Sequence, residues 1–219
     1  MAGYLILGAG KFGRLALERL GSRDKEASFL VVDRAPQALQ AARGLAAPAQ
    51  WVEAEAIAFL GEHLGNGAAW DWLIPAVPEH VAFSWLRRGP LAGADWEMVE
   101  APEALEALVP LAIRGREGEL YLSRARELCP DDCTEPRVCP VTGEPRETAL
   151  FEELAALELP GFKMAVVPSR QLAPGVGGFP PGALPALAQD LAVCRGQVLI
   201  ATACRCHGVV QALRRRGGG

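Results

Sequence analysis

The hexapeptide Gly8-Ala-Gly-Lys-Phe-Gly13 follows directly on an apolar run, Tyr4-Leu-Ile-Leu7, and opens a stretch of helical periodicity. That order constrains the fold more than any other feature of the chain. Each glycine of a G-x-G-x-x-G loop has a steric reason. Gly8 permits the tight turn, Gly10 lets a pyrophosphate approach the backbone, and Gly13 lets the helix pack against the strand. Phosphates placed there meet the unpaired N–H groups of a helix N-terminus, beside Lys11 and Phe12. Asp33 lies 20 positions beyond Gly13, at the end of the apolar run Phe29-Leu-Val-Val32. A carboxylate there hydrogen-bonds the adenosine ribose and repels a 2′-phosphate, so NAD is expected in preference to NADP. Arg34 could instead hold that phosphate or stack on adenine. The bland alternative is a scaffold of this type with an empty pocket.

The apolar runs are uninterrupted, as in strands buried on both faces of a parallel sheet. Helical periodicity covers 11–20, 35–45 and 55–64, and further strands are expected at 50–52 and 71–74. Strands alternating with helices predict an α/β, Rossmann-like, doubly wound and mostly parallel sheet over residues 1–90. Residues 91–219 read as an α/β C-terminal part that could continue the same sheet. Strands are expected there at 96–99, 119–122, 163–167 and 198–202, and helices at 103–108, 148–157, 184–194 and 209–215. Two loops stand out: a cysteine- and proline-rich insertion at 129–145, and a long Gly/Pro segment at 168–181.

Leu5 through Arg34 resembles the nucleotide-binding domains of potassium-transport regulators, the RCK or TrkA-N type. It is equally similar to Rossmann domains of the saccharopine-dehydrogenase type. The resemblance runs through about residue 75 and implies that Pro75-Ala-Val77 crosses the cofactor near its nicotinamide end. The whole pattern also resembles a group of bacterial Rossmann proteins with cysteine motifs, a likeness that implies no function.

Composition narrows the classes. The chain of 219 residues carries 22 basic and 26 acidic side chains, net −4. That lacks the basic footprint of a nucleic-acid binder. Arg214 to Arg216 read as a solvated helix end, where positive charge suits the dipole. No apolar stretch is long enough for a membrane span, and, with no basic region or cleavage site before Tyr4, no signal peptide is expected. A reducing cytoplasm is expected, where six cysteines point to metal or redox chemistry rather than disulfides.

Cys129, Cys133 and Cys139 are spaced C-x3-C-x5-C, and Cys204-Arg-Cys206-His207 follows far along the chain. These five thiols are candidate ligands for an iron–sulfur cluster or a zinc ion, with a spacing that decides neither. Cys204, Cys206 and His207 are expected between a strand and a helix, at the edge where α/β sheets bind ligands. A helix N-terminus there would favour thiolate. They are therefore also candidate catalytic groups, with Arg170 as a binder of anionic substrate. Cys194, on an apolar stripe, reads as a core cysteine, and His63 and His80 as structural histidines.

Three functions fit. One is an NAD-linked oxidoreductase acting on a small substrate, with a metal or thiolate holding it. Another is an NADH-sensing protein with an iron–sulfur cluster, since a cluster takes single electrons and nicotinamide moves a hydride. The third is a regulatory module working through a homodimer or a protein partner, its cysteines structural.

Overall fold

The computed structural model describes residues 2–46, 48–65, 70–93 and 95–216. The chain is mixed α/β with two principal sheets. The first is built from β1 (Gly3–Leu7), β2 (Ser28–Asp33), β3 (Ala49–Glu53) and β4 (Trp72–Pro75), all parallel, in the order β3-β2-β1-β4. Helices α1 (Lys11–Arg23), α2 (Pro36–Ala42) and α3 (Ala56–His63) connect its strands, and α4 (Val81–Arg88) leaves it. Every residue of β1 is buried, which is why its sequence shows no alternation. Proline is tolerated at position 75 because it is the last paired residue of β4, opposite Leu7.

The residues after 90 form their own sheet. It contains β5 (Trp96–Val99), β6 (Leu111–Arg114), β7 (Leu120–Ser123), β8 (Phe162–Pro168), β11 (Gln197–Ala203) and β12 (His207–Arg215). Its order is β6-β7-β12-β11-β8, with β5 alongside the far half of β12. Only β8 and β11 run parallel, so the expectation of a mostly parallel architecture fails in this half. The helix expected over 209–215 is the strand β12. It pairs with β11 on one side and with β7 and β5 on the other, and Val210 to Leu213 are all buried. The arginines 214–216 are therefore not at a helix end; Arg214 and Arg216 pair with Glu97.

The Gly/Pro segment is likewise more ordered than expected. It forms a hairpin, β9 (Arg170–Ala173) and β10 (Val176–Gly178), and Leu73 of β4 exchanges hydrogen bonds with Phe179 just beyond it. Helices α5 (Leu150–Ala156) and α6 (Ala183–Ala192) complete the fold. Leu5, Leu7 and Leu73 of the first sheet share one core with Val198, Ile200 and Leu213 of the second, through α3, α4 and α6. Among the described residues no helix is long and apolar enough to cross a membrane.

His80, at the N-terminus of α4, is tied to the second sheet. Its Nδ1 stands 3.1 Å from Gln211 Oε1 and its Nε2 3.0 Å from Thr202 Oγ1. Burial pushes its pKa down to about 4, against the hydrogen bond to Gln211. The imidazole thus stays neutral in the fold while the unfolded chain binds a proton below about pH 6.5. Stability is expected to fall as pH drops from about 6.5 to 4, by up to ~1.4 kcal/mol per unit, with no contribution above that window. Denaturant titrations across this range should give a shallower pH slope for His80→Gln than for the native chain; equal slopes would refute the assignment.

Candidate functional site

The glycine loop leaves β1 with Gly8 in the left-handed region, at φ +102°. A Cβ on Gly8 would run into the carbonyl of Ala76, and one on Gly13 would overlap the carbonyl oxygen of Gly8. Gly13 is therefore what lets the first turn of α1 lie against the loop. Gly10 differs: no protein atom lies within 4 Å of where its Cβ would stand. Protein packing does not require glycine there, whereas a ligand approaching the backbone does.

Asp33 reaches across from the end of β2. Its Oδ2 accepts the Ala9 N–H at 2.7 Å, and its Oδ1 accepts the Ala35 N–H at 2.8 Å. Each carboxylate oxygen retains acceptor capacity for a further donor. Arg34 is exposed beside it. On the other side of β1, Ala76 donates to Leu7 O at 2.8 Å, so Pro75, Ala76 and Val77 pass directly over the start of the loop.

The five candidate ligand cysteines converge. Cys129, Cys133, Cys139, Cys204 and Cys206 line one cavity of about 670 Å³ together with His207. They arrive on two segments. Three ride on the stretch between β7 and α5, which contains no helix or strand beyond a single bridge between Val138 and Pro145. Cys204 and Cys206 lie in the turn of the β11–β12 hairpin, closed by Cys204 N–H to His207 O at 2.8 Å. The sheet thus supplies a hairpin turn where a strand–helix junction was expected, and with it goes the helix N-terminus that would have favoured thiolate at Cys204 and Cys206.

Two sulfurs are met by backbone N–H groups of residues just downstream. Glu135 N–H points at Cys133 Sγ and His207 N–H at Cys204 Sγ, each at 3.4 Å. Glu135 itself adopts a positive φ of 49°, unusual for a residue other than glycine. The Thr142 hydroxyl, the nearby Thr142 and Val141 amides and the Arg146 charge favour the thiolate of Cys139 and bring its pKa down to about 7. Desolvation and the Glu135 carboxylate push Cys204 up to about 12 and raise Cys206 as well. Desolvation, with Cys133 and Cys139 nearby, raises Cys129. As free thiols, Cys204 and Cys206 are thus poor nucleophiles at neutral pH. His207 stands with Nε2 3.6 Å from Cys129 Sγ and Nδ1 3.9 Å from Cys204 Sγ. Among the described residues no disulfide joins the cysteines, and no three His, Cys, Asp or Glu donors are drawn together around one point.

The cavity adjoins the glycine loop. Phe12 is 54% exposed in the first turn of α1 and forms part of the cavity wall. Lys11 Nζ pairs with Asp131 Oδ2 at 2.6 Å, between Cys129 and Cys133. Arg19 of α1 donates to Asp131 O at 2.6 Å and to Pro174 O, while Gly175 N–H and the Gln171 amide hold Cys133 O at 2.9 and 2.7 Å. The cysteine segment is thereby clamped between α1 and the β9–β10 hairpin.

Arg170 does not take part. Its guanidinium lies over the Phe151 ring at 4.8 Å, outside the cavity wall. The wall carries Arg126 and Arg146, of which only Arg146 is buried; sequence reasoning passed over both because no motif marks them. Cys194 is buried in the shared core, and His63 stacks on Phe59.

Comparison with known proteins adds the following. A family model described as "Uncharacterized protein, C-terminal domain" matches residues 69–216, from just before β4 to the end of β12. A protein of Archaeoglobus fulgidus, described as "Uncharacterized protein", is 28% identical over 229 aligned positions, covering 96% of this chain and 99% of the relative. No solved structure matches at a significant level. Since the family model spans well over half of its length, the chain belongs to the AF_1314_C family.

Proposed function

We propose that the protein binds NAD(H) in a Rossmann-type unit built on β1–β4 and holds a metal on cysteine thiolates in the adjoining cavity, so that the state of the dinucleotide is read at the cysteines. The observation that carries this reading is the Lys11–Asp131 ion pair, which links the residue after Gly10 to the cysteine segment. The carboxylate of Asp33 at the loop and the open space at Gly10 support the dinucleotide part. With its adenosine ribose at Asp33 and its diphosphate at the start of α1, the molecule would extend its nicotinamide past Pro75, Ala76 and Val77. β2 and β4 flank β1 on opposite sides, and the hairpin beyond β4 carries part of the cavity wall.

Cys129, Cys133, Cys139, Cys204 and Cys206 would hold the metal, either zinc or an iron–sulfur cluster. The backbone N–H groups aimed at Cys133 and Cys204 favour their charged form, as a ligand requires. A bound cation deprotonates coordinating thiols outright, overriding the burial that raises Cys204 and Cys206. A protein partner or second copy would receive the signal.

A second reading is an NAD-linked oxidoreductase, favoured by the cavity itself. Its volume of about 670 Å³ suits a small substrate, and Ser169 and Gln171 offer polar anchors. A metal with an open coordination position supplies polarisation of a carbonyl toward hydride transfer. Consumption of NADH with small carbonyl compounds would select this reading.

Titration calorimetry should register NADH binding to the native chain, tighter than NADPH. Asp33→Ala should weaken it at least about tenfold, ~1.4 kcal/mol. Absence of heat with either coenzyme would overturn the dinucleotide reading. Gly10→Ala should impair binding while shifting stability by less than about 0.5 kcal/mol, whereas Gly13→Ala should cost roughly 2–4 kcal/mol in urea denaturation. NADH should also change the rate at which a thiol reagent modifies the cavity cysteines, by roughly fivefold or more. Lys11→Met should abolish that change; if the Met variant responds like the native chain, the link does not run through this pair.

A further inference from the structure

Arg146 is the one buried cation in the cavity wall to which the reading above gives no role. It is 7% exposed. Its Nη1 meets Glu144 at 3.1 Å, and its Nη2 meets Arg124 O at 2.8 Å and Thr142 Oγ1 at 3.3 Å. Its Nε is buried and has no hydrogen-bond partner among the described residues. An orphaned donor on a buried charge is costly, about 1–3 kcal/mol or more, and calls for an explanation. The same guanidinium lies beside Cys139 and Cys206, one thiol from each cysteine-bearing segment. Both ends of the guanidinium are already engaged by protein, so it does not offer the free fork that grips a carboxylate. What remains is one N–H, on a guanidinium that shares the cavity wall with Cys139 and Cys206.

The donor set distinguishes the metals. A zinc ion takes four ligands at about 2.3 Å for sulfur, which draws the donors tightly around one point. Here five thiols and an imidazole are spread around a cavity of about 670 Å³, with no three gathered at ligating separation among the described residues. A cluster separates its iron ligand positions by its own width and takes its thiolates from such a ring. With four thiolates it is also an anion, which a buried arginine offsets.

We infer that the cavity holds an iron–sulfur cluster, and that Arg146 is its built-in counter-cation, donating Nε–H to a cluster or thiolate sulfur. This rests on the thiolate-metal part of the reading above and is independent of the dinucleotide part. Net charge and hydrogen bonds to sulfur both set cluster potential, and Arg146 acts on both in the direction that favours reduction.

The test is anaerobic reconstitution of the purified chain with ferrous iron and sulfide, with zinc in a parallel sample. Iron and acid-labile sulfide are then assayed, and reduction is followed by visible absorption. The native chain should bind iron and sulfide in equal amounts and show a broad visible band that bleaches on reduction. Cys139→Ser and Cys206→Ser should lose most of the bound iron. Arg146→Met should shift the one-electron reduction equilibrium against reduction by about tenfold, ~59 mV. Arg146→Lys keeps the charge without the Nε–H and should recover part of that shift; it carries the test if the Met variant does not fold. One zinc per chain without sulfide would overturn the cluster and leave the thiolate-metal reading standing. No metal of either kind would overturn both. A cluster whose potential is the same in the native chain and in the folded Arg146 variants would remove Arg146 from the role.

Discussion

The first turn of α1 lies against the end of β1 at a distance that only glycine at position 13 permits. The rest of the site depends on that approach. It brings Ala9 within reach of the Asp33 carboxylate, which locks the loop from the β2 side. It also fixes where α1 points its side chains. Lys11, Phe12 and Arg19 then meet the cysteine segment and the tip of the β9–β10 hairpin. A backbone contact in the first thirteen residues thereby positions groups more than a hundred residues away.

The cysteine segment has little regular structure of its own, so its shape is imposed from outside. Gly175 at the hairpin tip donates to Cys133 O, and a side chain at 175 would collide with the backbone of Asp131. On the other flank, Arg124 and Arg146 tie the segment to the hairpin turn and to α5. Arg124 pairs with Glu153, Arg146 with Arg124 O, and Arg205 with Arg146 O at 3.0 Å.

Much of the first sheet was legible because β1 is buried throughout, β2 and β4 are largely apolar, and glycine and Asp33 punctuate them. The second half was less so, for particular reasons. Val210 to Leu213 is buried throughout, so its apolar residues carry no period that separates strand from helix. The preceding turn, Arg205-Cys206, lacks the glycine or asparagine that usually marks a tight hairpin. Elsewhere signals existed and were passed over. Pro174-Gly175 is a turn dipeptide between two short strands, and Val81–Arg88 is an amphipathic helix stopped by Gly89-Pro90. The convergence of the cysteines was legible in residue type and spacing but not in geometry. Arg146 was not legible at all, because its meaning lies in what surrounds it after folding.

The ion pair between Lys11 and Asp131 is exposed, with side chains 64% and 47% accessible, and such pairs contribute at most about 1 kcal/mol. It is too weak to hold the cysteine segment in place. The segment is held instead by hydrogen bonds to its own carbonyls from Gly175 N–H and from the Gln171 and Arg19 side chains, which persist whatever Lys11 does. That weakness would suit the pair to the signalling proposed above. A diphosphate at the start of α1 would present a denser negative charge to Lys11 than Asp131 does, so the lysine would change partners without unfolding anything. The segment would stay clamped at Asp131 O and Cys133 O while the Asp131 carboxylate, released, altered the charge beside the thiols. A strong pair would resist the ligand, and an absent one would leave the two sites energetically unconnected.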